Sequence, residues 1–197
     1  MRSGRAFSET PRRPSPGATT MPDTAPDPPV DLGFLSGTPV FGGFEEPALA
    51  LVAEHLERRR LPAGSRVVAE GDGAREMFVV ESGEVEVVVH CPPPGEGELV
   101  LARLSRGDCF GEMSLLDVQP RSATVTTLSD ASLLVLPYRE LLALKRRDAD
   151  AFLLLVLNVA REVSRRLRVC HGLLLEALAA SGRDHREAEE VLGSRRP

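Results

Sequence analysis

The chain has no tryptophan, and aromatic residues make up only 4% of its 197 positions. Its core must therefore be built from valine, leucine, alanine and a few phenylalanines. Cysteine is scarce too: Cys91, Cys109 and Cys170 are the three present, widely spaced and with no C-x-x-C pair. An odd, dispersed set disfavours a disulfide framework and fits a reducing compartment. The four histidines, His55, His90, His171 and His185, show no metal-ligand spacing, so no metal or cofactor is expected. A basic excess is lacking as well. The net charge is −5, whereas a dedicated nucleic-acid-binding domain carries a positive face, so direct DNA binding is not expected. No apolar run approaches the roughly 20 residues of a membrane span; the longest is Phe152 to Leu157. The N-terminus has arginines but no apolar segment of the secretory type. A cytoplasmic location is the resulting expectation.

What is present is ordinary for a globular chain, at 42% hydrophobic and 27% charged residues. Seven of the sixteen prolines fall at Pro11, Pro14, Pro16, Pro22, Pro26, Pro28 and Pro29. With few bulky apolar neighbours, that segment cannot bury enough surface to offset the entropy of ordering. The expected division is a disordered proline-rich tail over 1–30, one domain over 31–180, and a polar tail over 181–197. Met21 is an alternative start.

A Gly-rich lead-in over 31–43 is followed by a helix expected from Glu45 to Arg59. Pro47 sits in its first turn, and Leu49, Val52, Ala53 and Leu56 supply helical spacing. From Arg66 the pattern changes to short Val-, Leu- and Thr-rich runs: Arg66–Ala69, Met77–Glu81, Val85–His90, Leu99–Leu104, Ala123–Leu128 and Ser132–Leu136. Ser82-Gly83 reads as a tight hairpin turn. Many short strands at regular spacing predict an antiparallel β-roll or jelly roll, mainly β with flanking helices. After Pro137 helical periodicity returns, with a short helix over Tyr138–Arg146. A long one follows to about Ala180, capped by Asp148 or Asp150. In it Val156, Ala160, Val163, Leu167, Cys170, Leu174 and Ala177 form a heptad seam. That seam either packs on the roll or pairs with a second copy. Phe152, Leu153, Leu155, Leu173, Leu175 and Leu178 give the helix further apolar faces, so a homodimer through residues 150–180 is expected.

The chemistry is concentrated in Gly107 to Val125. Gly111 allows close backbone approach. Glu112 to Leu116 suits one helical turn with free N–H groups suited to an anion. Arg121 offers a guanidinium fork for a phosphate, and Glu112 an acceptor pair for a sugar hydroxyl. The bland reading is that Glu112 and Arg121 pair with each other across the loop.

Phe110-Gly111-Glu112-Met113-Ser114-Leu115-Leu116 and Pro120-Arg121-Ser122-Ala123-Thr124-Val125 resemble the phosphate-binding cassette of the cyclic-nucleotide-binding domains. That family includes the catabolite activator protein, the regulatory subunit of protein kinase A and cyclic-nucleotide-gated channels. Ala69-Glu70-Gly71-Asp72 resembles its E-G-D turn, and Met77 to Val85 its conserved-pattern hairpin. The resemblance covers about 40–170. It implies that Glu112 accepts from the ribose 2′-hydroxyl and that Arg121 binds the exocyclic phosphate oxygens. Gly111, Met113 and Ser114 would offer backbone groups, Ser122 a further hydroxyl, and Ala123 would complete the set. A small residue after the arginine goes with cAMP and a threonine with cGMP; Ser122 stands between these cases, small but with a hydroxyl, and cAMP is expected before cGMP. Arg165, Arg168 and His171 are the candidates to cap the purine.

A helix-turn-helix, membrane spans and a kinase H-R-D loop are not found in the sequence, nor is a nucleophile with its base. The expectation is a stand-alone, non-enzymatic regulatory sensor that signals through its C-terminal helix or an unknown effector in trans. The alternative is a ligand-independent interaction scaffold that retains the fold.

Overall fold

A computed structural model describes residues 27–73, 75–90, 97–117 and 119–181. Expectations for most of the N-terminal tail, for Cys91 and the loop after it, for the polar tail with His185, and for the Ser114 side chain lie outside the described residues. Packing has begun by residues 27–30. Asp27 Oδ1 lies 2.6 Å from Arg60, and Val30 rests on the core.

The lead-in contains a short helix α1 (Leu32–Ser36), capped by Asp31, and a 3₁₀ turn at Pro39–Phe41. Helix α2 covers Glu46–Ala53. The strands are β1 (Glu57–Leu61), β2 (Arg66–Val68), β3 (Glu76–Ser82), β4 (Val85–His90), β5 (Glu98–Leu104), β6 (Cys109–Phe110), β7 (Thr124–Thr127) and β8 (Ala131–Pro137). Helix α3 (Met113–Asp117) follows β6, one residue later than expected, and α4 (Tyr138–Arg147) and α5 (Ala149–Ser181) close the chain. The strands form two antiparallel four-stranded sheets, ordered β1-β8-β3-β6 and β2-β7-β4-β5. This is the predicted roll with an N-terminal helical segment and a long C-terminal helix.

One expectation is corrected. The helix expected from Glu45 to Arg59 stops at Ala53, and after a short turn the chain enters strand β1 at Glu57. Leu49 and Val52 are buried on α2, but Glu57–Leu61 pair in antiparallel register with Val135–Ala131. Two arginines of β1 pair with carboxylates on β3. Arg58 takes Glu81 through Nε and Nη2 at 2.7 and 2.6 Å, and Arg59 takes Glu76 at 3.0 Å. Pairing with β8 outweighs a weak local helix preference.

Strands β3 and β8 are buried on both faces, so they read as unbroken apolar runs. Met77, Val79, Leu134 and Leu136 pack on the helices with Leu35, Phe41, Val52 and Leu155. Phe78, Val80, Leu133 and Val135 point into the roll with Leu61, Val85, Phe110 and Val125. This sheet is the wall between helices and roll, and the cassette hangs from its edge strand β6.

Helix α5 begins at Asp148, whose Oδ1 accepts from the N–H groups of Asp150 and Ala151 at 3.0 and 2.9 Å. Its inner face carries Ala151, Leu155, Asn158 and Val159, all buried. Asn158 Nδ2 donates to the carbonyls of Val40 and Gly42 at 3.3 and 2.8 Å, fixing α5 to the 3₁₀ turn. The heptad seam is a different face. Val156 and Val163 are half-buried, and Ala160, Leu167, Cys170, Leu174 and Ala177 are exposed.

Candidate functional site

The site begins where β6 ends. Phe110 stacks on Phe78 inside the roll, with centroids 4.8 Å apart, so the chain turns outward at Gly111. There φ is +76°, a region that favours glycine. A side chain on Gly111 would also collide with Arg121 Nη1. The position thus requires glycine for its conformation and for its neighbour.

Arg121 lies three residues before β7, and its side chain reaches back to Gly111. Its backbone is held by the turn at Gly71-Asp72: its N–H donates to Asp72 O at 2.9 Å and its carbonyl accepts from Gly71 N at 2.8 Å. Its guanidinium donates to the carbonyls of Gly111 and Glu76 at 3.2 and 2.8 Å and lies over the Phe78 ring at 5.5 Å. Arg121 is 6% exposed. Among the described residues no carboxylate forms an ion pair with it; the Glu76 carboxylate is taken by Arg59. Burial depresses its pKa, against the distant pull of Glu76, Glu112 and Asp72, but a guanidinium stays charged under all ordinary conditions. The result is a buried cation whose own partners are two neutral carbonyls.

Glu112 does not pair with Arg121, so the bland loop-pair reading fails. It is 3% exposed, and its Oε1 accepts from Arg166 Nη1 of α5 at 3.0 Å. Burial pushes its carboxyl above the usual range, and Arg166 pulls the other way. Arg166 is itself gripped from other sides: Nη2 donates to Cys109 O at 2.5 Å and Nε to Glu162 Oε1 at 3.1 Å. The Cys109 thiol between them is pushed up to about 12 by burial and stays protonated.

The remaining expected residues are arranged around this pair. Met113 is exposed at the start of α3, Ser122 is exposed just after Arg121, and Ala123 is buried. Arg165, Arg168 and His171 are exposed on α5, and Arg165 pairs with Glu162 at 2.8 Å. The cation that reaches the cassette is Arg166, which sequence reasoning passed over. Its signal was phase: at 3.6 residues per turn Arg166 lies about 35° from the centre of the buried face of Ala151, Leu155, Asn158 and Val159, against about 65° for Arg165 and about 125° for Arg168.

A cavity of about 550 Å³ is lined by Arg121 together with Val67, Val68, Asp72, Arg75 and Tyr138 among others. Neither Gly111 nor Glu112 contributes to it. Among the described residues no cluster of His, Cys, Asp and Glu has the makings of a metal site, and no helix is long and apolar enough to cross a membrane.

Residues 58–148 match the profile of the cyclic nucleotide-binding domain. The cyclic AMP receptor protein of Thermus thermophilus is 36% identical over 135 residues, which is 68% of this chain and 59% of that protein. The cAMP-dependent protein kinase regulatory subunit of Mycosarcoma maydis is 37% identical over 92 residues, 47% of this chain and 17% of that protein. The chain thus spans less than two thirds of the length of either relative. The crystal structure of the Thermus thermophilus catabolite activator protein superposes with a TM-score of 0.63 at 34% identity, over 72% of this chain and 63% of that one. Sequence, fold and the cassette around Glu112 and Arg121 agree, and this chain carries a domain of the cyclic-nucleotide-binding family.

Proposed function

We propose that the chain is a regulatory module that binds a 3′,5′-cyclic nucleotide, cAMP in preference to cGMP, and is not an enzyme. The observation that carries this reading is Arg121, a buried guanidinium with no ion-pair partner among the described residues, beside an almost fully buried carboxylate already engaged elsewhere. A buried charge is costly unless paired. The cyclic phosphate would supply the missing anion, with Gly111, Met113 and Ser114 offering backbone groups and Ser122 a hydroxyl. Glu112 would accept from the ribose 2′-hydroxyl, with Ala123 closing the site beneath. The name of the Thermus relative, a cyclic AMP receptor, supports the choice of base.

The output would run through α5. Arg166 ties that helix to the cassette, so a ligand with different affinity for its two placements would shift the population between them. The exposed seam from Leu167 to Ala177 is the surface offered to a second copy, and an effector in trans would read the helix or the dimer. On this reading the module works in the cytoplasm and does not contact DNA itself.

Calorimetric titration of cAMP and cGMP into the chain, beside Arg121→Ala, tests the proposal. Micromolar or tighter binding abolished by the substitution is the expected result. Absence of heat with both nucleotides would leave the ligand-independent scaffold as the function.

A further inference from the structure

The cavity that shares Arg121 is built from elements other than the cassette. Val67 and Val68 of β2 give it apolar lining, as do Pro137 at the end of β8 and Tyr138 and Leu142 of α4. Its volume of about 550 Å³ lies in the range of small-molecule sites. Arg75 and Tyr138 are exposed, so the cavity can be reached from solvent.

The charges in its lining do not cancel. Glu76 is taken by Arg59 at 3.0 Å, and Arg139 by Glu57 and Glu140 at 2.6 and 3.3 Å. That leaves Arg75, Arg121 and Asp72. The Arg75 side chain has no hydrogen bond or ion pair to any described residue. Arg121 is buried and has no ion-pair partner among the described residues. Two of its N–H groups go to carbonyls, and the guanidinium has further donors to offer. Asp72, which pulls on Arg121, is the carboxylate left against these two cations. The N-terminal end of α4 comes to the same cavity without a side-chain cap, and its partial positive charge favours an anion there.

A cavity with apolar lining and an excess of one positive charge suits an organic anion of single charge. A carboxylate matches a guanidinium in a bidentate fork. An aromatic body suits the two valines, Leu142 and the Tyr138 ring. A dianion would be repelled by Asp72. We propose that this cavity is a second ligand site, taking an aromatic monocarboxylate between Arg75 and Arg121. The site itself does not depend on the cyclic-nucleotide reading. One consequence does: Arg121 belongs to both sites, so the carboxylate satisfies the charge that a cyclic phosphate needs, and the two ligands oppose each other.

The test uses the full chain with ¹³C-methyl valine and leucine, and 2-naphthoate as the probe. The Val67, Val68 and Leu142 signals are assigned by their loss in Val67→Ile, Val68→Ile and Leu142→Met. These methyls should shift and saturate with a midpoint at or below about 1 mM, while Leu173 and Leu174 on α5 stay in place. 2-Naphthamide, neutral and of the same shape, should bind at least about tenfold more weakly. 2-Naphthyl phosphate should also bind more weakly than the carboxylate. Arg75→Gln, at an exposed position, should cost about tenfold in affinity, and Arg75→Lys should recover part of it. In calorimetry, saturating 2-naphthoate should weaken cAMP binding by about tenfold.

No saturable shift at about 10 mM probe, equal binding of the neutral amide, shifts confined to the α5 leucines, or unchanged affinity in Arg75→Gln would each overturn the site. Tighter binding of the naphthyl phosphate would overturn the ligand class. Unchanged or tighter cAMP binding would overturn the sharing of Arg121. Failure of cAMP to bind would overturn the cyclic-nucleotide reading, and is told apart because the methyl titration needs no nucleotide.

Discussion

At the scale of single residues, the proposed binding rests on two buried charges, Arg121 and Glu112, that do not pair with each other. Arg121 keeps its charge in a 6% exposed position where its hydrogen bonds go to two carbonyls. Arg121→Lys should therefore lose most of the affinity, because an ammonium cannot span Gly111 and Glu76 and present a fork to a phosphate. Isothermal titration should show at least about a tenfold loss, the worth of one charged hydrogen bond. Glu112 adds a pH dependence. Its folded pKa is raised by burial, so its carboxylate form is lost as pH falls through a midpoint above the ordinary carboxylate range. Nucleotide affinity should fall over that window, and Glu112→Gln should flatten the profile. The stability sign is opposite. A raised carboxyl pKa favours the folded state at low pH, and that contribution is lost as pH rises from the unfolded value through the folded one. Gly111→Ala should fail on both counts, since it meets a positive φ and the Arg121 guanidinium together. A loss of more than about 1 kcal/mol in denaturant melts, with loss of binding, is expected.

At the scale of elements, the wall β3-β8 and helix α5 do most of the positioning. Each residue along β3 from Met77 to Val80 is buried, alternately towards helices and roll, which makes this strand intolerant on both faces. On α5 the critical fixture is Asn158, whose amide satisfies two carbonyls of the 3₁₀ segment. Asn158→Ala leaves buried acceptors unpaired and should cost about 1–3 kcal/mol. Hydrogen exchange should then show faster opening of α5 and of residues 38–43 together, while the β4-β5 hairpin is unaffected. The same scale explains what was readable in advance. The runs Val85–His90 and Met77–Glu81 announced themselves by composition and turn signals, because pairing and packing there agree with local preference. Strand β1 did not. Glu57-Arg58-Arg59-Arg60 has no strand pattern; its conformation comes from β8 on one side and from carboxylates at Glu76 and Glu81, which are distant in sequence.

At the scale of the whole molecule, α5 is the element with surface to spare. It has 33 residues, about 50 Å at helical rise, and beyond Arg166 Leu167, Leu173, Leu174 and Leu175 are exposed, at 55%, 60%, 47% and 54%. Leu167 and Leu174 share the seam, and parallel pairing with a second copy would bury them. Replacing both by Asp should convert a dimer into a monomer of 21.3 kDa, read by sedimentation or light scattering. Cys170 lies on the same seam, exposed. In a Cys91→Ser background, mild oxidation should cross-link two chains through Cys170, and Cys170→Ser should abolish the product. A monomeric wild type would remove the dimer from the proposed function and leave nucleotide binding untouched.

The residue pattern by itself determined the roll, the long helix and the cassette, because these are encoded by local means: period-two runs, glycine turns, a heptad and a motif in one continuous stretch. Only the tertiary structure decided which charges meet. It separated Glu112 from Arg121, gave Glu112 to Arg166 rather than to Arg165 or Arg168, and turned the end of a helix into a strand. Partners such as Arg166 and Cys109, 57 positions apart, are brought together by the packing of a helix face, and adjacent arginines on one helix differ in phase rather than in chemistry.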